Sequence, residues 1–315
     1  MPIARPADFA AQPYPQRPIT LVVGYVPGGG ADILARYLAN HMSDQLGRRV
    51  IVENHPGAAG TMAALAVARS EPDGYTVYLA GSSSALHHLT SRDSAFDCSK
   101  NLVPIGMAAE APFVLIMGNH VPAVALPDAA QVARDKPGGL SCASYGVGSA
   151  SNLMCDELQR KLGIRLLHIP YKGDAQAIAD VMAGRADFYI STLVAVLPFI
   201  KAGKVRGLAI LSSGRLAQLP DVPGIEEFGF MGPASSGWYA LMVPRGTPDY
   251  AIERLNRSLY AVLALADVRE KLGNLGYVLP TSAKAPEAVE EYIDLDIGKW
   301  STMLQRAETA PSTST

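Results

Sequence analysis

Apolar positions along this chain switch repeatedly between two periods. Short apolar runs bounded by glycine, proline or polar residues predict strands at 21–26, 50–53, 75–80, 113–117, 140–144, 165–169, 186–190, 205–211 and 238–243. Between them, apolar residues recur three and four apart, as in Ile33, Leu34, Tyr37, Leu38 and Met42. This spacing predicts helices at 32–46, 60–70, 127–135, 149–162, 175–183, 193–202, 248–265, 267–275 and 286–305. Gly47, Gly163, Gly184, Gly203 and Gly276 stand where helices end, and Pro127, Pro248 and Pro286 where they begin. Strands alternating with helices predict an α/β fold with mostly parallel sheets, whose ligands gather at the carboxyl ends of the strands.

One junction is chemically loaded. The apolar run 21–26 stops at Pro27, Gly28-Gly29-Gly30 follow, and a helix opens at Ala31-Asp32. A glycine loop at a helix N-terminus offers backbone N–H groups and the positive end of a helix dipole to an anion. No lysine follows the glycines, which removes the Walker loop. Ile33 stands where a dinucleotide loop wants its last small residue, although Glu53 would serve as the acidic partner of such a loop. A turn without a ligand remains open, as does a nucleotide. Three further junctions have the same character: Gly81 with Ser82, Ser83 and Ser84; Tyr145 to Gly148 with Ser149, Ala150 and Ser151; and Pro170-Tyr171-Lys172-Gly173. Lys172 is the one cation in these loops, so the ligand is expected to be held mainly by neutral donors. Such a site avoids burying an unpaired charge when empty.

The 315 residues suggest two domains. A net charge of −2 gives no electrostatic case for nucleic acid. No apolar stretch is long enough to span a bilayer. Cys98, Cys142 and Cys155 match no metal spacing and are expected as buried free thiols, with a Cys142–Cys155 pair the alternative in an oxidising compartment. Residues 1–8 carry no apolar signal core, which leaves open a cytosolic protein or an exported one whose leader has been removed. The tail 310–315 reads as a frayed end.

Catalytic patterns do not assemble. His41, His55, His87, His88, His120 and His168 form no metal spacing, and no nucleophile elbow occurs. Asp32, Asp187 and Glu53 show no spacing that singles out an acid–base pair. The chemistry is that of holding an anion rather than transforming it, with no cofactor and no metal expected.

Blocks along the chain resemble a known family. Pro27 to Arg36 is similar to the signature loop of the substrate-binding proteins of tripartite tricarboxylate transporters, the Bug family. In order come Val52 to Gly60, Pro72 to Thr76, Ala143 to Ser149, His168 to Gly173, Leu219 to Pro223, Gly237-Trp238 and Pro244 to Pro248. His55 and Pro223-Gly224 depart from the family's usual residues. The resemblance implies a two-lobed type II periplasmic binding protein, each lobe a mixed, mostly parallel sheet flanked by helices. Residues 17–113 and 232–315 would form one lobe and 114–231 the other, after a disordered or added segment, 1–16. It implies a non-enzymatic, periplasmic, monomeric receptor that delivers a small carboxylate (dicarboxylate, acidic amino acid or aromatic acid) to the membrane subunits of the transporter, without inserting into the membrane itself. Its expected ligand contacts are Tyr25, Gly29, Gly30, Ala31, Asp32, Gly148, Ser149, Ala150 and Ser151. At the ligand's other end would stand Ser82, Ser83, Ser84, Tyr171, Lys172, Asp187, Ser191 and Thr192. An enzyme using the glycine loop for a phosphate, and a cytosolic sensor derived from the same fold, are the alternatives.

Overall fold

The structure, a computed structural model, describes residues 14–90, 96–211, 214–229 and 236–309. Residues 1–13 of the expected N-terminal segment and the tail 310–315 therefore lie outside the described residues. Tyr14 donates its hydroxyl to the Gly74 carbonyl. The first part of the chain runs β1 (Ile19–Val23), α1 (Gly30–Leu46), β2 (Val50–Asn54), α2 (Thr61–Ala68), β3 (Thr76–Gly81), α3 (Ser82–Thr90), α4 (Cys98–Asn101) and β4 (Leu102–Ala111). The middle runs β5 (Phe113–Gly118), α5 (Leu126–Asp135), β6 (Ser141–Ser144), α6 (Ala150–Leu162), β7 (Leu167–Pro170), α7 (Asp174–Met182), β8 (Phe188–Thr192), α8 (Leu193–Lys201) and β9 (Val205–Ile210). The chain then returns through β10 (Gly237–Pro244), α9 (Asp249–Leu263), α10 (Ala266–Asn274) and α11 (Pro286–Thr309).

Two five-stranded sheets result, in the orders β2-β1-β3-β10-β4 and β7-β6-β8-β5-β9. Both are mixed. In each, the strand next to one edge is reversed: β10 is antiparallel to β3 and β4, and β5 to β8 and β9. The reversed strands belong to the chain crossings between sheets. Only Pro112 separates β4 from β5, so β5 enters its sheet running back along the cleft.

Side-chain alternation sorts each sheet's faces. Leu21, Val77, Ile105 and Leu241 face α1, α9 and α10, while Val22, Tyr78, Met107 and Met242 face α2 and α11. In the second sheet Leu115, Met117, Phe188 and Ile190 pack on α5 and α6, and Val114, Ile116, Tyr189 and Ile210 on α7 and α8. Strands buried on both faces read as continuous apolar runs, which is why they were legible. Trp300 of α11 joins the core of the second sheet, so the last helix bridges both.

The free-thiol expectation is corrected at two positions. Cys142 on β6 faces α6, whose second turn brings Cys155 to a Cα–Cα distance of 6.6 Å, within bridging range, and the two are disulfide-bonded. Cys98 is a buried free thiol, its ionisation pushed up to about 12 by burial and by the Asp97 charge.

Candidate functional site

The glycine junction is shaped by close backbone approach. A Cβ on Gly24 would stand 2.5 Å from the Gly60 Cα, so the end of β1 lies directly on the turn before α2. The chain loops out and re-enters at Gly30, the first residue of α1. The first bond inside the helix is donated by Ile33 to the Gly29 carbonyl, so the amides of Gly30, Ala31 and Asp32 precede the helical ladder. Asp32 locks this arrangement. Its carboxylate accepts from the Gly28 amide at 3.0 Å, from Arg36 Nε at 3.0 Å and from Asn54 Nδ2 at 2.9 Å. Burial raises the Asp32 carboxyl, but these three donors outweigh it and hold it below the ordinary carboxylate value.

That depression fixes a pH response. The folded Asp32 binds protons less readily than the unfolded one. Its contribution is therefore complete above the unfolded value of about 4 and is lost as pH falls through the lower folded value. Replacing Asp32 by Asn is expected to cost about 2 kcal/mol near neutrality, the scale of a lost charged hydrogen bond. It should also flatten the loss of stability below about pH 4. Urea unfolding at pH 3 and pH 7 checks both, and an unchanged pH dependence would refute the assignment.

The α1 amides open into an inner cavity of about 30 Å³, room for about two water-sized groups. From the first sheet's side it is lined by Tyr25, Gly29, Gly30, Ala31, Ser82, Ser83, Trp238 and Tyr239. Across the cleft stand Phe113, Tyr145, Asp174 and Thr192. All lie at one edge of each sheet: the carboxyl ends of β1, β3, β6, β7 and β8, and the amino ends of the reversed β5 and β10. A Cβ on Gly30 would lie 3.3 Å from both the Thr192 hydroxyl and the Tyr239 hydroxyl. The helix N-terminus therefore faces two neutral hydroxyls at close range.

The cleft is closed by direct contacts. Ser83 donates to the Tyr145 hydroxyl at 3.2 Å and accepts from the Ala150 amide at 3.2 Å. Tyr25 and Tyr145 meet edge to face with ring centroids 6.2 Å apart. Burial pushes both phenols up, and the Asp174 charge adds to it, so they stay protonated donors. The same two rings also line an outer groove of about 700 Å³ with Gly146, Gly148, Tyr171 and Lys172. The inner cavity and the outer groove thus meet at this tyrosine pair.

Ten of the expected residues line one space or the other: Tyr25, Gly29, Gly30, Ala31, Ser82, Ser83 and Thr192 the cavity, Gly148, Tyr171 and Lys172 the groove. The rest are placed differently. Asp32 turns its carboxylate away from the cavity to hold its own loop. Ser84 donates to the Gly81 carbonyl, and Ser149 caps α6 while donating to Gly146. Ser151 donates to the Ile190 carbonyl, and Ala150 reaches the cleft only through its amide bond to Ser83. Ser191 donates to Asp174. Asp187 lies at the amino end of β8, on the opposite edge, where it accepts from the Ser141 amide and hydroxyl and pairs with His120 at 2.9 Å. Phe113, Tyr145, Asp174, Trp238 and Tyr239 were not singled out as site residues. Tyr145 and Trp238 stood inside matched blocks, and Asp174 directly follows one.

The Ser144 hydroxyl lies 2.7 Å from His168 Nε2, an arrangement that elsewhere activates a nucleophile, but Ser144 is fully buried. Among the described residues no group of three or more His, Cys, Asp or Glu is placed to hold a metal, and no helix is long and apolar enough to cross a membrane. What the site offers is amide, hydroxyl and phenol donors around a small space in the cleft.

Comparison with known proteins agrees with this layout. Residues 34–308 match the model of the tripartite tricarboxylate transporter family receptor. Protein BugT of Bordetella pertussis is 34% identical over 301 residues, 95% of this chain and 92% of its own. The structure of the periplasmic binding protein BugD superposes with a TM-score of 0.89 at 32% identity, covering 94% of this chain and 99% of that one. MatC from Rhodopseudomonas palustris, solved with bound malate, gives 0.88 at 30% identity, covering 92% of this chain and all of its own. With its signature loop at the cleft, its paired mixed sheets and relatives that span nearly its whole length, this chain belongs to the Bug family of periplasmic binding proteins, the receptors of tripartite tricarboxylate transporters.

Proposed function

We propose that this protein captures a small carboxylate in the periplasm and hands it to the membrane subunits of a tripartite transporter, without transforming it. The two lobes of the clamp follow the two sheets, close to the expected divisions at 113 and 232, with Phe113 itself opening β5 of the second sheet. The observation that carries the reading is the N-terminus of α1, whose first residues line a small cleft cavity opposite the Thr192 and Tyr239 hydroxyls. Oriented amides and a helix dipole bind a carboxylate without a fixed positive charge. The malate-bound relative supports a carboxylate ligand, and the Cys142–Cys155 disulfide suits an oxidising compartment. The inner cavity is smaller than a whole dicarboxylate, so binding requires the lobes to part and re-close, a hinge motion suited to the one-residue crossing at Pro112.

Calorimetry with malate, succinate, aspartate, glutamate and benzoate tests this directly. At least one is expected to bind with a dissociation constant near or below about 1 μM, about −8 kcal/mol. Absence of heat with all five, together with stabilisation by nucleotides or sugar phosphates, would overturn the proposal.

A further inference from the structure

One acidic side chain in the inner cavity has no counterpart in a simple carboxylate trap. Asp174 opens α7, and its Oδ1 is held by two hydroxyls, Tyr189 at 2.6 Å and Ser191. Those bonds fix the carboxylate plane. Oδ2 is turned toward the other lobe, 3.2 Å from where a Cβ on Gly29 would stand. Gly29 immediately precedes the α1 amides proposed to take the ligand carboxylate. Among the described residues that line this cavity there is no lysine, arginine or histidine. Lys172, two positions earlier in the chain, lines the outer groove instead and is exposed. The rings of Tyr25, Tyr145 and Tyr239 line the same space as Asp174.

A half-buried carboxylate with no cation among the residues lining its cavity repels a second anion and attracts a positive group. Tyrosine rings line the same space, and a ring that turns its π face to a cation adds to that attraction. A ligand bearing only carboxylates would satisfy the α1 amides and then set like charge against Asp174. A ligand with an ammonium group a few atoms from its carboxylate would satisfy both.

Resting on the proposed carboxylate reading, we infer that the cavity is built for an amino acid, with the carboxylate on the α1 amides and the ammonium on Asp174 Oδ2 within the tyrosine cage. Asp174 is then the residue that determines specificity. In a relative with a small neutral residue at this place the same fold would take deamino acids.

Matched pairs differing only in the amine decide it: aspartate against succinate, glutamate against glutarate, and alanine against propionate. They are titrated calorimetrically into the wild type and into Asp174→Asn, which keeps an acceptor for Tyr189 and Ser191. In the wild type the amino member of at least one pair is expected to bind 50-fold or more tightly than its partner. In Asp174→Asn that ratio should fall at least tenfold, with the deamino acid unchanged or gaining. Tighter binding of the deamino acids by the wild type overturns the inference and leaves the carboxylate reading standing. A ratio that survives Asp174→Asn also overturns it. Silence from every member of every pair overturns the inference, while the carboxylate reading is then decided by malate and benzoate. If the variant does not fold, the wild-type ratios alone decide.

Discussion

Replacing Gly30 by valine is expected to abolish ligand binding, lowering affinity by more than 100-fold while leaving the fold intact. Gly30 does not stand in the left-handed region, and as the first residue of α1 its backbone accepts a side chain. Valine there costs little in propensity, since it is a better helix former than glycine by a few tenths of a kcal/mol. The space in front of Gly30 is what changes. Its Cβ would already lie 3.3 Å from the Thr192 and Tyr239 hydroxyls and 3.7 Å from the Val194 Cβ. The two γ carbons then extend into a cavity of about 30 Å³. They occupy the volume that a carboxylate needs and shield the leading amides from it. A hundredfold loss corresponds to about 2.7 kcal/mol. Calorimetry on the best ligand of the wild type, paired with thermal unfolding, reads both halves. Affinity within threefold of the wild type would remove the α1 amides from the site, and a large fall in the midpoint would make the test one of folding. Gly28→Ala provides a contrast: it meets no atom within 4 Å, so its effect comes from its positive φ alone.

The architecture was legible because most strands are buried on both faces and most helices carry an apolar stripe. Nine strands and nine helices were expected near their observed places. The omissions have local causes. β4 contains Pro104, Gly106 and an alanine run, which weaken any strand signal, and it survives because it is an edge strand whose partner in the sheet, β10, tolerates register shifts beside it, with a further bridge from Glu110 to Val278. α3 opens with three serines that read as a loop, since serine competes with the helical ladder for its own hydrogen bonds. β1 ends at Val23 rather than running to Val26, because Gly24 is taken up by the close contact with Gly60, which no local pattern reveals. The glycine loop lines the cleft cavity where a ligand site was expected, yet the same reading assigned Asp32 to the ligand, and its carboxylate turns to its own loop. Spacing shows that a residue stands in a loop but not which way its side chain turns. For Asp187 the difference lies in the edge of the sheet: it directly precedes β8, on the edge away from the cleft. Asp174 and Tyr239 were invisible because their roles arise across the cleft, between segments far apart in the chain.

The largest stability effect is expected at Trp238, the second residue of β10. Its ring is fully buried between the first sheet and α11, packed with Val289 and Ile293, and one edge of it walls the inner cavity. Its Nε1 donates at 2.9 Å to the carboxylate of Asp296, itself only 3% exposed. Trp238→Phe keeps an aromatic ring but removes that donor and leaves a void. Depriving a buried carboxylate of a donor costs about 1–3 kcal/mol, and the lost volume adds about 1 kcal/mol, so destabilisation of about 3 kcal/mol is expected. Urea unfolding should show a lower midpoint with an unchanged slope. Asp296→Asn separates the two terms, because the amide oxygen still accepts from Nε1 while the ring and its packing stay. It should cost less than about half as much as Trp238→Phe. If both variants are equally destabilised, the charge of Asp296 rather than the indole donor holds α11 against the sheet. Either result bears on binding, since α11 buttresses the strand that carries both Trp238 and Tyr239 into the cavity. Weakening that support is expected to loosen the cavity wall opposite Asp174 before it unfolds the lobe.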